Sequence, residues 1–275
     1  VSPLTSTVML NLRAMRGRSY PRVIGLLREP SWVFYDTVLP ILSVAAYAYI
    51  YKALNGPPEF VGFVILGGVM TAYWLNVLWS MAAQFYWEKE VGNLQLYLVA
   101  PMSRMAVLAG MALGGMFMSS TRAIATLFIS VAIFQVTFVA EAPLLLVTVF
   151  VVTLIALYGM GMMFASLFLL YGREAWHTTN LLQEPVYLVS GFYFPVRQLG
   201  AAVAAGASVL PITLGLDAMR QLLFPEALEF AFLPADIELA ILCVLAVAFV
   251  TLSRYALAYL ENLAKREGRL TLRWQ

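Results

Sequence analysis

The stretch FYWEKEVGNLQLYLVAP, residues 85–101, sets Glu88, Lys89 and Glu90 side by side between two long apolar runs. The rest of the chain avoids charge: of 275 residues, 62% are hydrophobic and 12% charged. A soluble domain carries about 25% charged residues. Half that figure cannot cover a water-facing surface, so most of the chain must face lipid. The charged stretch then marks a place where the chain leaves it. Helices are the expected element, because open strand edges cannot be satisfied in hydrocarbon. The apolar runs also lack the alternation of barrel strands.

Working outward from residue 85, a bilayer core of about 30 Å needs roughly 20 helical residues. Six segments meet that length: about 32–54, 60–87, 102–139, 143–171, 178–194 and 235–257. The expected fold is an all-α integral membrane protein with six transmembrane helices. It forms one domain over residues 1–275: an N-terminal interfacial helix to residue 31, the membrane domain 32–258 and a basic tail 259–275. The first 30 residues hold five arginines but no apolar run of signal-core length, so the first apolar helix is expected to be retained. Cys243 is the one cysteine, which excludes a disulfide within the chain. A net charge of +2 gives no argument for nucleic acid.

Orientation follows from lysine and arginine. With both termini in the cytoplasm, that side holds Arg13, Arg16, Arg18, Arg22, Arg28, Lys89, Arg104, Arg173, Arg254, Lys265, Arg266, Arg269 and Arg273. The outer side holds only Lys52, Arg197 and Arg220. The stretch 85–101 is thereby cytoplasmic. Leu4, Val8, Leu12 and Met15 share one helical face near the N-terminus, with Arg13, Arg16 and Arg18 flanking the other. That pattern predicts an amphipathic helix on the inner leaflet, basic side toward lipid phosphates, or equally one packed on a partner protein. Residues 195–234 are external and mostly apolar, but too broken by Gly and Pro to cross. They predict a re-entrant pair of short helices before the last span. Within them, Asp217 and Arg220 share a helical face, so an ion pair is expected.

Chemistry is sparse. The sequence has no GxxxxGK[ST] phosphate loop. His177 is the one histidine, with Glu174 nearby and no further ligand cluster, so neither a metal site nor an intramembrane enzyme is expected. Ionisable residues inside apolar segments are Asp36, Arg122 and Glu184. Charges at membrane depth are functional candidates, which leaves an ion-coupled secondary transporter open as the alternative reading. Gly110 and Gly114 form a GxxxG that suits close helix packing inside the fold.

Three ordered motifs resemble one family, the membrane subunits of type-2 ABC exporters. They are EKEVGNLQLYLVAPMSR at 88–104, SGFYFPVRQL at 190–199 and LPITLGLDAMRQLL at 210–223. Departures from the family pattern fall at Asn93, Gln95, Gly200 and Leu210. The resemblance implies a permease in a prokaryotic plasma (inner) membrane that pairs with a second copy of itself. It would bind two separate ABC ATPase subunits, which hold ATP and Mg; the chain itself needs no cofactor. A coupling helix between the second and third spans would meet the ATPase through Glu88, Lys89, Glu90, Gly92, Asn93 and Leu94. The path would run between the two copies, with Tyr73, Asn76, Tyr187 and Tyr193 as lining candidates. The external re-entrant segment, with Phe194, Pro195, Pro211, Asp217 and Arg220, would close it. An exported hydrophobic or amphipathic substrate such as a drug, lipid or lipid-linked glycan suits that path.

Overall fold

A computed structural model describes residues 3–28, 30–171 and 173–266, and the described residues are helical with short connections. Helix α1 spans Pro3–Arg28 and α2 Pro30–Ala53. Helix α3, Glu59–Leu75, passes into a π-helical turn, Asn76–Ala82, and then into α4, Gln84–Val91. A short α5, Leu94–Val99, precedes the long helices α6, Arg104–Phe134, and α7, Pro143–Tyr171. Helix α8 is Arg173–Val189, α9 Ala201–Ala207, α10 Pro211–Leu223 and α11 Ala235–Arg266. The tail arginines Arg269 and Arg273 lie outside the described residues.

By length and composition four stretches qualify as membrane spans: Glu59–Glu88, Arg104–Phe134, Pro143–Ser166 and Ala235–Tyr259. A fifth is reached if α9 and α10, which bend by 113° at their break, count as one. The first and fifth expected spans exist as helices but are not in this set. Helix α8 has only 17 residues, and α2 carries Asp36, Lys52 and three tyrosines near its end. Helix α6 stops at Phe134, five residues before the expected end, where Gln135 turns left-handed (φ 55°) and its N–H caps the Val131 carbonyl at 2.8 Å.

Helix α3 sits at the centre. Fourteen of its residues, from Phe60 to Trp74, are buried, as expected of a helix apolar on all sides. Glycines admit its neighbours: Gly62 faces the Phe224 ring, Gly67 the Phe192 carbonyl and Gly68 the Val44 side chain. Helices α7 and α11 pack along their lengths, with Gly159 against Phe249 and Val250.

Helix α1 lies across α6, and here the GxxxG is explained. A Cβ at Gly110 would stand 2.6 Å from the Met15 carbonyl oxygen, and one at Gly114 would stand 3.1 Å from that of Ser19. Two backbones approach this closely only where one side chain is missing. The face α1 turns inward is mixed, with Asn11, Arg18, Ser19 and Arg22 beside Leu10, Met15, Val23 and Ile24, while Val8, Met9 and Leu12 are exposed. The basic side is therefore divided: Arg13 and Arg16 point outward and Arg18 and Arg22 point into the protein.

Candidate functional site

The charged stretch forms an elbow. Helix α4 ends at Val91, Gly92 takes a left-handed conformation (φ 87°) that a side chain would strain, and α5 begins at Leu94. Glu88 is only 5% exposed and its carboxylate faces α1, where it pairs with Arg18. The Tyr97 hydroxyl of α5 donates to the same carboxylate at 3.3 Å, and the Arg18 guanidinium lies 5.5 Å from the Tyr97 ring centre. One turn on, Arg22 donates to the carbonyls of Met111 at 3.3 Å and Ser80 at 3.2 Å, so α1 grips both α6 and the end of the π-helical turn. Burial, with the neighbouring Arg18 charge adding to it, lowers Arg22 to about 10, still protonated at neutral pH. The Asn11 side chain accepts the Ser103 N–H at 2.9 Å. Among the described side chains, the exposed ones of the elbow are apolar: Trp87, Val91, Leu96 and Val99, the last at 86%.

At the other end of α3, the two remaining motifs interlock. Gly191 (φ 67°) turns the chain so that the carbonyls of Phe192 and Phe194 face Arg220 of α10. Arg220, 2% exposed, donates to Phe194 at 3.2 Å, Phe192 at 3.0 Å and the Phe63 carbonyl of α3 at 3.2 Å, and its guanidinium lies 5.0 Å from the Phe63 ring centre. Asp217 accepts the Phe232 N–H at 2.8 Å and the Gln221 amide at 3.3 Å. The expected Asp217–Arg220 ion pair is therefore replaced by two separate jobs. Arg220 holds the 190–195 turn and Asp217 holds the connection to α11. Three carbonyls crowding one guanidinium outcompete a carboxylate that has its own donors. Pro211 opens α10 at its first turn, where its missing N–H is harmless, and Pro195 is buried and extended.

Between these ends, α2, α3 and α8 enclose a groove of about 520 Å³. Its lining includes Ser43, Tyr47, Thr71, Glu184, Tyr187 and Tyr193. The rings of Tyr47 and Tyr193 stack at 4.1 Å, and the Tyr51 hydroxyl fixes the Tyr193 carbonyl at 3.0 Å.

The family model of the ABC-2 type transporter matches residues 22–224, which takes in all three motifs and the groove. The chain belongs to that family. No curated protein and no solved structure matches it. It is the permease subunit of a type-2 ABC transporter, a multi-pass membrane component of the kind that associates with ABC ATPases.

Within this ABC-2 permease the expected lining residues divide in two. Tyr187 and Tyr193 line the groove. Tyr73 and Asn76 do not: the Tyr73 hydroxyl meets Ser120 at 3.0 Å, and Asn76 accepts the Tyr158 hydroxyl at 3.0 Å, both in the interior. Polar side chains in an apolar helix are drawn to any partner, and the core supplied one. Of the residues expected to meet the ATPase, Glu88 and Leu94 are buried, so each positions the elbow and neither forms its surface. Gly92 makes the turn, Asn93 precedes α5 and Glu90 is half-buried, while the Lys89 side chain lies outside the described residues. Arg122 pairs with Asp36 at 2.6 Å, joining α6 to α2, and Glu184 stands apart on α8. His177 is exposed on α8. The sequence reading did not single out Trp87, Leu96 and Val99 on the elbow or Tyr47 and Thr71 in the groove; the apolar residues Trp87 and Val91, four apart on one face of α4, were the available signal on the elbow.

Proposed function

We propose that this permease is an exporter half that works as a homodimer in a prokaryotic plasma membrane, with both termini and the α4–α5 elbow in the cytoplasm. Two separate ATPase subunits, holding ATP and Mg, dock on the elbows of the two copies. The observation that carries the reading is the elbow itself. Its acid is locked inward on Arg18 while Trp87, Val91, Leu96 and Val99 remain uncovered by the chain. Exposed apolar patches mark sites of protein or membrane contact, and on a cytoplasmic elbow the partner is protein.

Movement of the elbow would pass to α1 through Arg18 and to α6 and the π-helical turn through Arg22. That turn leads directly into α3, one wall of the groove. The substrate path then runs along the groove between the two copies, and the Arg220-held turn with α9 and α10 closes it externally. The basic bias of the elbow end supports the orientation. Of the three residues behind the ion-coupled alternative, Arg122 and Asp36 pair with one another and Glu184 alone faces the groove.

The test is co-purification of the permease with its ATPase from membranes. Leu96→Ser with Val99→Ser is expected to release the ATPase while the permease keeps its thermal midpoint. ATPase retention equal to wild type would refute the elbow as the docking site.

A further inference from the structure

The charge of the groove narrows the ligand. Among its described lining residues Glu184 is the one acidic side chain and none is basic; the others are apolar, hydroxyl-bearing or amide. Its carboxylate accepts one hydrogen bond, from the neutral Gln183 amide at 3.3 Å, and the Gln183 oxygen is itself taken by the Trp79 indole at 2.8 Å. Asp36, the other acid in an apolar segment, already has Arg122. Glu184 therefore presents its carboxylate, exposed, to the groove and forms no ion pair among the described residues. Beside it the stacked Tyr47 and Tyr193 rings, with Tyr187 tilted at 6.2 Å from Tyr193, form an aromatic wall. Aromatic faces attract cations, and more strongly where water is excluded. A volume of about 520 Å³ suits a drug-sized molecule.

We propose that this groove binds lipophilic organic cations, with Glu184 as the counter-charge and the Tyr47–Tyr193 stack as the surface on which the cation rests. The assignment rests on the permease reading but concerns only the chemistry of its path. Anionic amphiphiles are rejected by the same carboxylate. Neutral ones fit the apolar lining but leave the charge unmatched.

The experiment uses the full-length permease in nanodiscs of neutral lipid, without ATPase, so that its outcome is independent of docking at the elbow. Radiolabelled tetraphenylphosphonium is the probe, and its near-isosteric anion tetraphenylborate the control. Wild type is expected to bind the cation saturably, and tetraphenylborate is expected not to compete. Glu184→Gln should raise Kd at least tenfold, and Tyr193→Leu should raise it several-fold with Glu184 intact. The thermal midpoints of both variants verify folding. Absence of saturable cation binding in wild type, equal competition by the anion, or an unchanged Kd in a folded Glu184→Gln protein would each overturn the assignment. None of these results bears on ATPase co-purification, which decides the permease reading separately.

Discussion

Replacing Glu88 by alanine removes the carboxylate that Arg18 and Tyr97 share, and leaves the guanidinium of Arg18, 20% exposed, against α4 with its charge unmet. Breaking a buried pair from one side costs about 3–5 kcal/mol when enclosure is complete. With Arg18 one-fifth open to solvent, the expected loss is about 2–3 kcal/mol. Arg18→Met should lose a similar amount, since Glu88 is the more deeply buried partner at 7% side-chain exposure. The double variant Arg18→Met with Glu88→Met removes both charges together, so it should recover about 1–2 kcal/mol of the summed losses. The assay is a double-mutant cycle on thermal or denaturant unfolding of the purified permease, run beside the ratio of substrate moved to ATP hydrolysed in proteoliposomes with the ATPase. Each single variant should lower that ratio more than the double. Additive losses, with transport tracking neither single change, would refute the pair as the joint between elbow and α1.

Two further outcomes follow from packing. Arg220→Met strips three carbonyls of their donor, at about 1–3 kcal/mol for each group left unsatisfied. The variant should lose most of its thermal stability and expose residues 190–200 to protease, and wild-type resistance there would contradict the clamp. Gly110→Val sets a branched side chain against the Met15 carbonyl. It should displace α1 from α6, seen as faster trypsin cleavage at Arg18 and Arg22, with a destabilisation of about 2–3 kcal/mol from overpacking. Unchanged protection of these arginines would count against the close approach.

The helices and the three motifs were legible in the chain because lipid punishes exposed charge and unpaired backbone alike. The GxxxG reading also held, since close packing inside the fold was expected and α1 supplies it. Sidedness within a helix was harder. In water the apolar face of α1 would point inward, but here Val8, Met9 and Leu12 are exposed and Arg18 and Arg22 are turned in. Tyr73 and Asn76, named as lining candidates for their polarity, meet hydroxyl partners in the interior of the chain. The pairing of Arg122 with Asp36 joins residues 86 apart, a relation no local pattern encodes. Asp217 and Arg220 lie within one turn of each other, yet each is claimed by distant backbone.

The π-helical turn at Asn76–Ala82 sets the phase of everything after it. A wide turn inserts a residue relative to the α-helical repeat, and one residue is worth about 100° of rotation. Helix α4 therefore leaves α3 with its faces dialled round, and the dial setting is what aims Glu88 at Arg18 and leaves Trp87 outside. A one-residue deletion in this turn would shift each later residue of α4 into its predecessor's place, so that Glu88 takes the exposed place of Trp87, loses Arg18 and Tyr97, and Lys89 is set against Arg18 instead. The grip of α1 on the Ser80 carbonyl at 3.2 Å works as a detent on that dial.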